Sequence, residues 1–250
     1  MQPIERLSER QRAFDYPYQA PQGAFVVRAG HVESWDERVK LDGRLPVLSV
    51  GSNRAPVQLL RKFGPAAEVP VSPAQLNDCD ICHVAALSGY AAVPASAFPS
   101  RGTRVALNIA WLEPAQLAIM HRTETVGIAY DFVRWEASSI THLAPQIIPA
   151  AGQPVYGYAS RQGFLDDGTG AALSLAAIAA EERRFTALDQ AAAMARLCQL
   201  AGVARPSNPE DWIDQLQADS QLRQQIAQSI RGQARHPENP PWHIMEDLLV

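Results

Sequence analysis

Three cysteines are all that the 250 residues contain, and an odd number this small builds no disulfide framework, so the chain is expected in a reducing compartment, the cytoplasm. An excess of positive charge is also lacking: 22 Lys and Arg stand against 26 Asp and Glu, a formal net charge of −4, with both signs scattered. Without a basic stripe there is no electrostatic footprint for a phosphate backbone, which argues against a nucleic acid partner. No apolar run approaches a membrane span. The longest small or apolar stretch, Ala171 to Ala180, carries Ser174 and has roughly half the required length, so no membrane partner is expected. Met1 to Phe14 interleaves Glu5, Arg6, Glu9, Arg10 and Arg12 with polar residues, where a secretory signal needs a continuous apolar run. Several enzyme signatures are missing: there is no P-loop and no H-E-x-x-H, and Val47 rather than glycine stands two before Ser49, so no G-x-S-x-G elbow exists. What is present is 47% hydrophobic residues over a length that buries a full core, which excludes disorder as the main state.

The chain reads as three parts. Residues 1–44 form an arm: Pro17, Pro21 and Gly23 interrupt it, yet Phe14, Tyr16, Tyr18, Phe25, Val26 and Val27 are too apolar to stay in water and should pack on the rest. Residues 45–180 mix strands and short helices. Pro46 to Val50 is an apolar run ending at Gly51, and Pro56 to Phe63 sets Pro56, Leu59, Leu60 and Phe63 at helical spacing, giving strand, tight loop, helix. Further strands are expected at Ile81 to Leu87, Arg104 to Trp111 and Ile128 to Trp135, with a helix at Pro114 to Met120. After a loop with Pro145, Pro149 and Pro154, a hairpin should join Val155–Ser160 to Ala172–Ile178 across Asp166-Asp167-Gly168. Residues 181–250 read as a helical extension from Thr186 on. Ala187 to Leu200 stops at Gly202, Ser207-Asn208-Pro209-Glu210-Asp211 starts a second helix, and Ser220 to Arg231 ends at Gly232. The glutamines of that last region mark a solvated face, with Leu216, Leu222, Ile226 and Ile230 turned inward.

Two segments could carry chemistry. In Val47-Leu48-Ser49-Val50-Gly51-Ser52-Asn53-Arg54-Ala55-Pro56, a buried strand turning through glycine into a helix gathers backbone N–H groups into a site for a carboxylate or oxyanion. Alone, it reads better as a simple turn with Ser52 or Asn53 capping the helix. The second segment runs as a strand from Arg104, then as a two-turn helix through Leu117, Met120 and His121 to Glu124, a carboxylate that by itself would be a solvated helix end.

Taken together and in this order, with Gly89-Tyr90 between them, the segments resemble the gamma-glutamylcyclotransferase-like family over roughly Val47 to Trp135. The loop matches at Gly51, Ser52 and Asn53, the helix at Leu117 and the glutamate at Glu124. Val50 stands where the family has tyrosine, and Met120-His121 replaces its Leu-Asp. The resemblance implies an α+β fold, a small mixed sheet partly closed into a barrel under short helices, with the arm and the helical C-terminal segment as additions. It also implies a mechanism: the α-amine of a γ-glutamyl-type small molecule attacks its own side-chain carbonyl, forming a five-membered lactam and expelling an amine, with no cofactor or metal. Glu124 would be the general base, and Gly51, Ser52 and Asn53 would hold the substrate carboxylate or the oxyanion. A pocket lined by Tyr90, Trp111 or Tyr130 would desolvate Glu124. Arg54 would counter the α-carboxylate, or else is a solvated arginine on the first turn. The alternative is a non-catalytic metabolite-binding or protein-interaction module on the same fold, favoured by the missing tyrosine. The observation that separates the two is whether Glu124 points into a pocket beside the Gly51 loop. The sequence leaves open whether the C-terminal helices pair two copies into a homodimer.

Other signals compete. Cys79-Asp80-Ile81-Cys82-His83 matches the C-x-x-C-H haem motif but runs into a strand, so buried thiols are expected there. Gly168-Thr169-Gly170 lacks the third glycine of a dinucleotide fingerprint. His121 and Glu124 lie at a spacing that a metal could share, although an ordinary helix end is the better reading. Trp242, after Pro240-Pro241, is either a partner anchor or an aromatic docked on its own domain.

Overall fold

The computed structural model describes residues 2–144, 147, 150, 152–204 and 207–247. The chain is mixed α+β, with one large mixed sheet and several short helices. The strands are β1 (Gln2–Pro3), β2 (Phe25–Arg28), β3 (His31–Ser34), β4 (Leu45–Ser49), β5 (Glu68–His83), β6 (Ala95–Leu112) and β7 (Tyr130–Trp135). They continue with β8 (Ile140–His142), β9 (Tyr156–Ser160), β10 (Ser174–Leu175), β11 (Ala180–Glu181), β12 (Ala187–Leu188) and β13 (Trp242–Ile244). The helices are α1 (Glu9–Phe14), α2 (Pro56–Phe63), α3 (Pro114–Thr123), α4 (Gln190–Ala201), α5 (Pro209–Ala218) and α6 (Ser220–Ile230). Among the described residues no helix is long and apolar enough to cross a membrane.

The main path of the sheet runs β1-β3-β2-β5-β6-β4-β9-β7-β13, and β4 is flanked by β6 antiparallel and β9 parallel. A strand hydrogen-bonded on both sides and covered on both faces must be apolar throughout, which is why Pro46 to Ser49 is buried without alternation. The sheet is larger than the small one expected. The arm adds β1 to β3, the tail adds β13, and β5 and β6 are far longer than their apolar stretches. The polar halves of these two strands (Pro73, Gln75, Asn77; Ser100, Arg101, Gly102) look like turns in sequence. Pro73, Gln75 and Asn77 stay extended because β6 pairs with them, whereas Ser100 to Thr103 have no register partner: the pairing that runs from Val71↔Ala110 to His83↔Ala95 is interrupted between Asn77↔Arg104 and Cys79↔Pro99, and Gly102 there turns to φ +84°.

Two further expectations are corrected. Residues 155–160 and 172–178 do not form a hairpin: β9 pairs with β7 and β4, while Ser174 faces Cys82 of β5, leaving only an Asp166↔Ala172 bridge around the turn. Nor is everything after Thr186 helical, because β12 precedes α4 and Trp242 to Ile244 pair with Trp135 to Val133. Trp242 docks on its own domain, 8% exposed with its ring 5.0 Å from that of Trp135. Pro145 and Pro149 of the expected loop lie outside the described residues.

The helices follow their capping residues. Asp189 caps α4, which ends at Gly202 in the left-handed region, and Asn208 caps α5, whose first position is Pro209. Leu216, Ile226 and Ile230 are buried with Trp212 and Ala13, so α1 of the arm shares a core with α4 to α6. Arg10 of α1 clamps it there, with Nε 2.6 Å from Asp214 Oδ1 and Nη1 2.9 Å from Glu210 Oε2. A second clamp centres on a fully buried carboxylate. Asp80 of β5 accepts Arg183 Nε at 2.9 Å, Arg183 Nη2 at 3.1 Å and Ser174 Oγ at 2.6 Å, tying residues 174–183 to the long hairpin.

Candidate functional site

The central strand β4 delivers the chain to a sharp turn. Gly51 opens a single 3-10 turn, Gly51–Arg54, at φ +59°, a conformation that costs a residue with a Cβ. Pro56 then starts α2, whose fixed φ suits the first helical position. On the other side of β4, strand β6 feeds α3 through Glu113, whose carboxylate forms a capping box with Gln116. Helix α3 buries Leu117 and Met120 against Val47, Leu59 and Phe132, and it stops at Glu124 because Thr125 turns to φ +48°. The C-terminal ends of α2 and α3 therefore meet above the loop that follows β4.

At that meeting point lies a cavity of about 300 Å³, lined by Val50, Ser52 and Asn53 of the loop, Lys62 of α2, Glu124 beyond α3, and the rings of Tyr16, Tyr90, Tyr130 and Tyr158. Glu124 points into it, its side chain 14% exposed. Asn53 Nδ2 donates to Glu124 Oε1 at 3.2 Å. A carboxylate only accepts, so this bond fixes the amide's orientation and turns Asn53 Oδ1 the other way, where it is buried without a partner. Lys62, with its side chain 2% exposed, places Nζ against the same Glu124 Oε1 and 3.1 Å from Met120 Sδ. Burial pushes the Lys62 ammonium pKa down, while the charge of Glu124 opposes that shift.

The four tyrosines reach the cavity from four segments. Burial raises the phenol pKa of each, and the nearby Glu124 charge adds to it. They are uncharged donors at neutral pH. Tyr158 Oη lies 3.0 Å from His121 Nδ1, so His121 is engaged away from Glu124, on the aromatic cluster of Phe132 and Tyr158. Tyr16 comes from the arm: its hydroxyl accepts Ala95 N–H at 2.9 Å and sits against Gly51, so that a Cβ on Gly51 would overlap it. Val50 supplies no phenol to this loop, but the arm brings one from the opposite end of the sequence. Gly51→Ala combines a left-handed backbone with this overlap. It should destabilise the protein by about 2–4 kcal/mol, read from the denaturant midpoint. Gly51→Ala with Tyr16→Phe, which removes the overlapping oxygen, should recover part of that loss.

Of the residues singled out from sequence, Ser52, Asn53, Tyr90, Tyr130 and Glu124 line one cavity, with Gly51 at the root of its loop. Arg54 and Trp111 do not line it. Arg54 Nε donates to Asn108 Oδ1 on β6 at 3.2 Å, and Trp111 is held in the core with Nε1 donating to Ser72 Oγ at 2.9 Å. Among the lining residues that sequence did not single out are Lys62, Tyr158 and Tyr16. Lys62 sits between Arg61 and Phe63 at a helix end, where basic residues are ordinary. Tyr16 carried a signal only as an apolar residue of the arm.

The C-x-x-C-H segment lies within β5, with Cys79 and Cys82 as buried thiols whose pKa burial raises. His83 Nε2 is 3.0 Å from the Leu188 carbonyl oxygen, which requires the proton on that nitrogen. Among the described residues no group of three His, Cys, Asp or Glu could hold a metal. Burial lowers the His83 and His142 pKa values below 6.5, so the unfolded chain takes up these protons first. Stability should therefore fall as pH drops below about 6.5. His83→Gln, which keeps a donor for Leu188, should flatten the slope of unfolding free energy between pH 7 and pH 5.5; an unchanged slope would remove His83 from this account.

Comparison with family models, curated proteins and solved structures returns no match for this chain.

Proposed function

We propose that the chain is a gamma-glutamylcyclotransferase-like enzyme acting in the cytoplasm, on a partly closed barrel of that type. It would cleave the amide of a γ-glutamyl-type small molecule by intramolecular attack, releasing a lactam and an amine. The observation that carries this reading is that Glu124 and the loop Gly51–Asn53, distant in sequence, share one cavity with a direct Asn53–Glu124 hydrogen bond.

The chemistry needs three things from the protein, and the lining has candidates for each. The α-ammonium must give up a proton before its nitrogen can attack, and the Glu124 carboxylate is the acceptor. The developing oxyanion needs donors, for which Ser52 of the loop that Gly51 opens and the uncharged phenols of Tyr90 and Tyr130 are the candidates in the lining. The remainder is orientation, since ring closure within one bound molecule converts a bimolecular attack into a unimolecular one. Arg54 has no place in this scheme.

One observation favours the second reading, a binding module without chemistry: Glu124 already holds an ammonium, that of Lys62. The test is release of 5-oxoproline from a panel of γ-glutamyl peptides and γ-glutamylamines. Turnover of any member supports the enzyme. Absence of turnover together with saturable quenching of tyrosine fluorescence by the same compounds transfers the site to the binding module.

A further inference from the structure

The ion pair of Lys62 and Glu124 joins the ends of α2 and α3, and as a structural device it is a poor one. A buried pair must first lose its hydration, and an apolar pair of the same volume stabilises as well or better. Here it stands at the wall of the cavity rather than between packed faces, with Asn53 Nδ2 on Glu124 and Met120 Sδ beside Lys62 as the further partners. It also brings together a group that takes a proton and a group that gives one.

The reaction proposed above moves two protons, not one. The substrate nitrogen enters as an ammonium and ends as a lactam N–H, losing two; the leaving nitrogen begins as an amide N–H and ends as an ammonium, gaining two. Resting on that reading, we infer that Lys62 is a second catalytic residue, the general acid that protonates the leaving amine, with Glu124 as the base. Glu124 takes the first proton from the α-ammonium. The freed nitrogen forms its bond to the side-chain carbonyl carbon, and the oxygen becomes the oxyanion. As the oxyanion collapses, the bond to the leaving nitrogen breaks with its electron pair staying on that nitrogen, which takes a proton from Lys62 Nζ. In the same step the ring nitrogen gives its extra proton to the Lys62 amine left neutral, so that the lactam forms with a single N–H. The proton held by Glu124 departs with the amine as an ammonium. Lys62 and Glu124 are restored to their starting charges, and no outside reactant is consumed. Desolvation of Nζ, which makes the ammonium a stronger acid than an exposed lysine, suits it to this step at neutral pH.

The experiment compares two leaving groups in the full-length chain: γ-glutamylmethylamide, whose amine cannot depart without a proton, and γ-glutamyl-4-nitroanilide, whose weakly basic amine can. The parent is measured beside Lys62→Met and Lys62→Arg, the second of which keeps the charge beside Glu124 but does not release a proton at neutral pH. The expected result is a loss of about 10²–10⁴-fold in kcat/KM on the methylamide in both variants, the size of a general acid, with a far smaller loss on the nitroanilide. The ratio of the two rates within one variant is independent of the fraction folded, so partial unfolding cannot imitate it. Equal losses on both substrates overturn the inference and make Lys62 a positioning residue for Glu124, leaving the enzyme reading intact. A parent that releases 5-oxoproline from neither substrate nor from any member of the wider panel removes the enzyme reading, and this inference with it.

Discussion

Glu124→Gln is expected to lower lactam release by about 10²–10⁴-fold, the contribution of a positioned proton acceptor. The substitution keeps shape and removes basicity. Gln has an amide oxygen to accept from Asn53 Nδ2, whose bond to Glu124 Oε1 is 3.2 Å, so the loop at Gly51 keeps its contact with the end of α3. What changes besides the base is the environment of Lys62, whose buried Nζ loses its counter-charge. Breaking a buried pair costs up to about 3–5 kcal/mol, less where an acceptor stays in place. A thermal melt measured alongside activity separates the two effects. Turnover lost at temperatures well below the melting midpoint belongs to the base, and turnover that survives in Glu124→Gln refutes its role.

Asp80→Ala should cost about 3–5 kcal/mol of stability, because it strips a fully buried carboxylate from an arginine that has no substitute in the fold. Asp80 is 0% exposed and receives both arms of Arg183 as well as Ser174 Oγ. Without it Arg183 keeps only the Ile178 carbonyl, at 2.7 Å from Nη2, and Ser174 loses its acceptor. The loss is read from urea unfolding. Limited proteolysis should at the same time show earlier cleavage within residues 174–183, the segment that this clamp ties to β5. A variant within about 1 kcal/mol of the parent would mean that the strand pairing of β10 with β5 and β12 holds the segment by itself.

Much of the architecture was legible, because local rules and tertiary context agree at those points. Helix α2 begins at a proline and ends before a glycine, and its bounds follow from those two residues. Central strand β4 reads as an apolar run for the same reason that it is buried. The losses come where pairing, not composition, decides. Gln75 and Asn77 have nothing strand-like about them, and they are extended because β6 pairs with both and β8 lies on the other side of Gln75. Trp242 to Ile244 become a strand because the edge of β7 is there to receive them. The site divides in the same way. Glu124 and Asn53 could be named because each sits at the end of a recognisable element. Lys62 could not, since a lysine at a helix end carries no mark of where the neighbouring helix will lie. Tyr16 could be expected inside but not assigned to Gly51, since a chain broken by Pro17 and Pro21 fixes no direction.

The clamp on the arm has a consequence for the order in which the molecule assembles. Tyr16 braces the Gly51 loop, and the helix just before it is held by Arg10 on Asp214 and Glu210, contacts that close about 200 residues of chain. Contacts between such distant positions form late in folding, because the entropy of closing the intervening chain is lost before they contribute anything. On a ribosome, residues 9–18 emerge long before α5 and wait for it to be synthesised before they are fixed. The cavity around Glu124 would therefore be among the last features to mature, and a nascent chain halted before α5 would hold Glu124, Asn53 and Lys62 yet leave the phenol over Gly51 without its anchor.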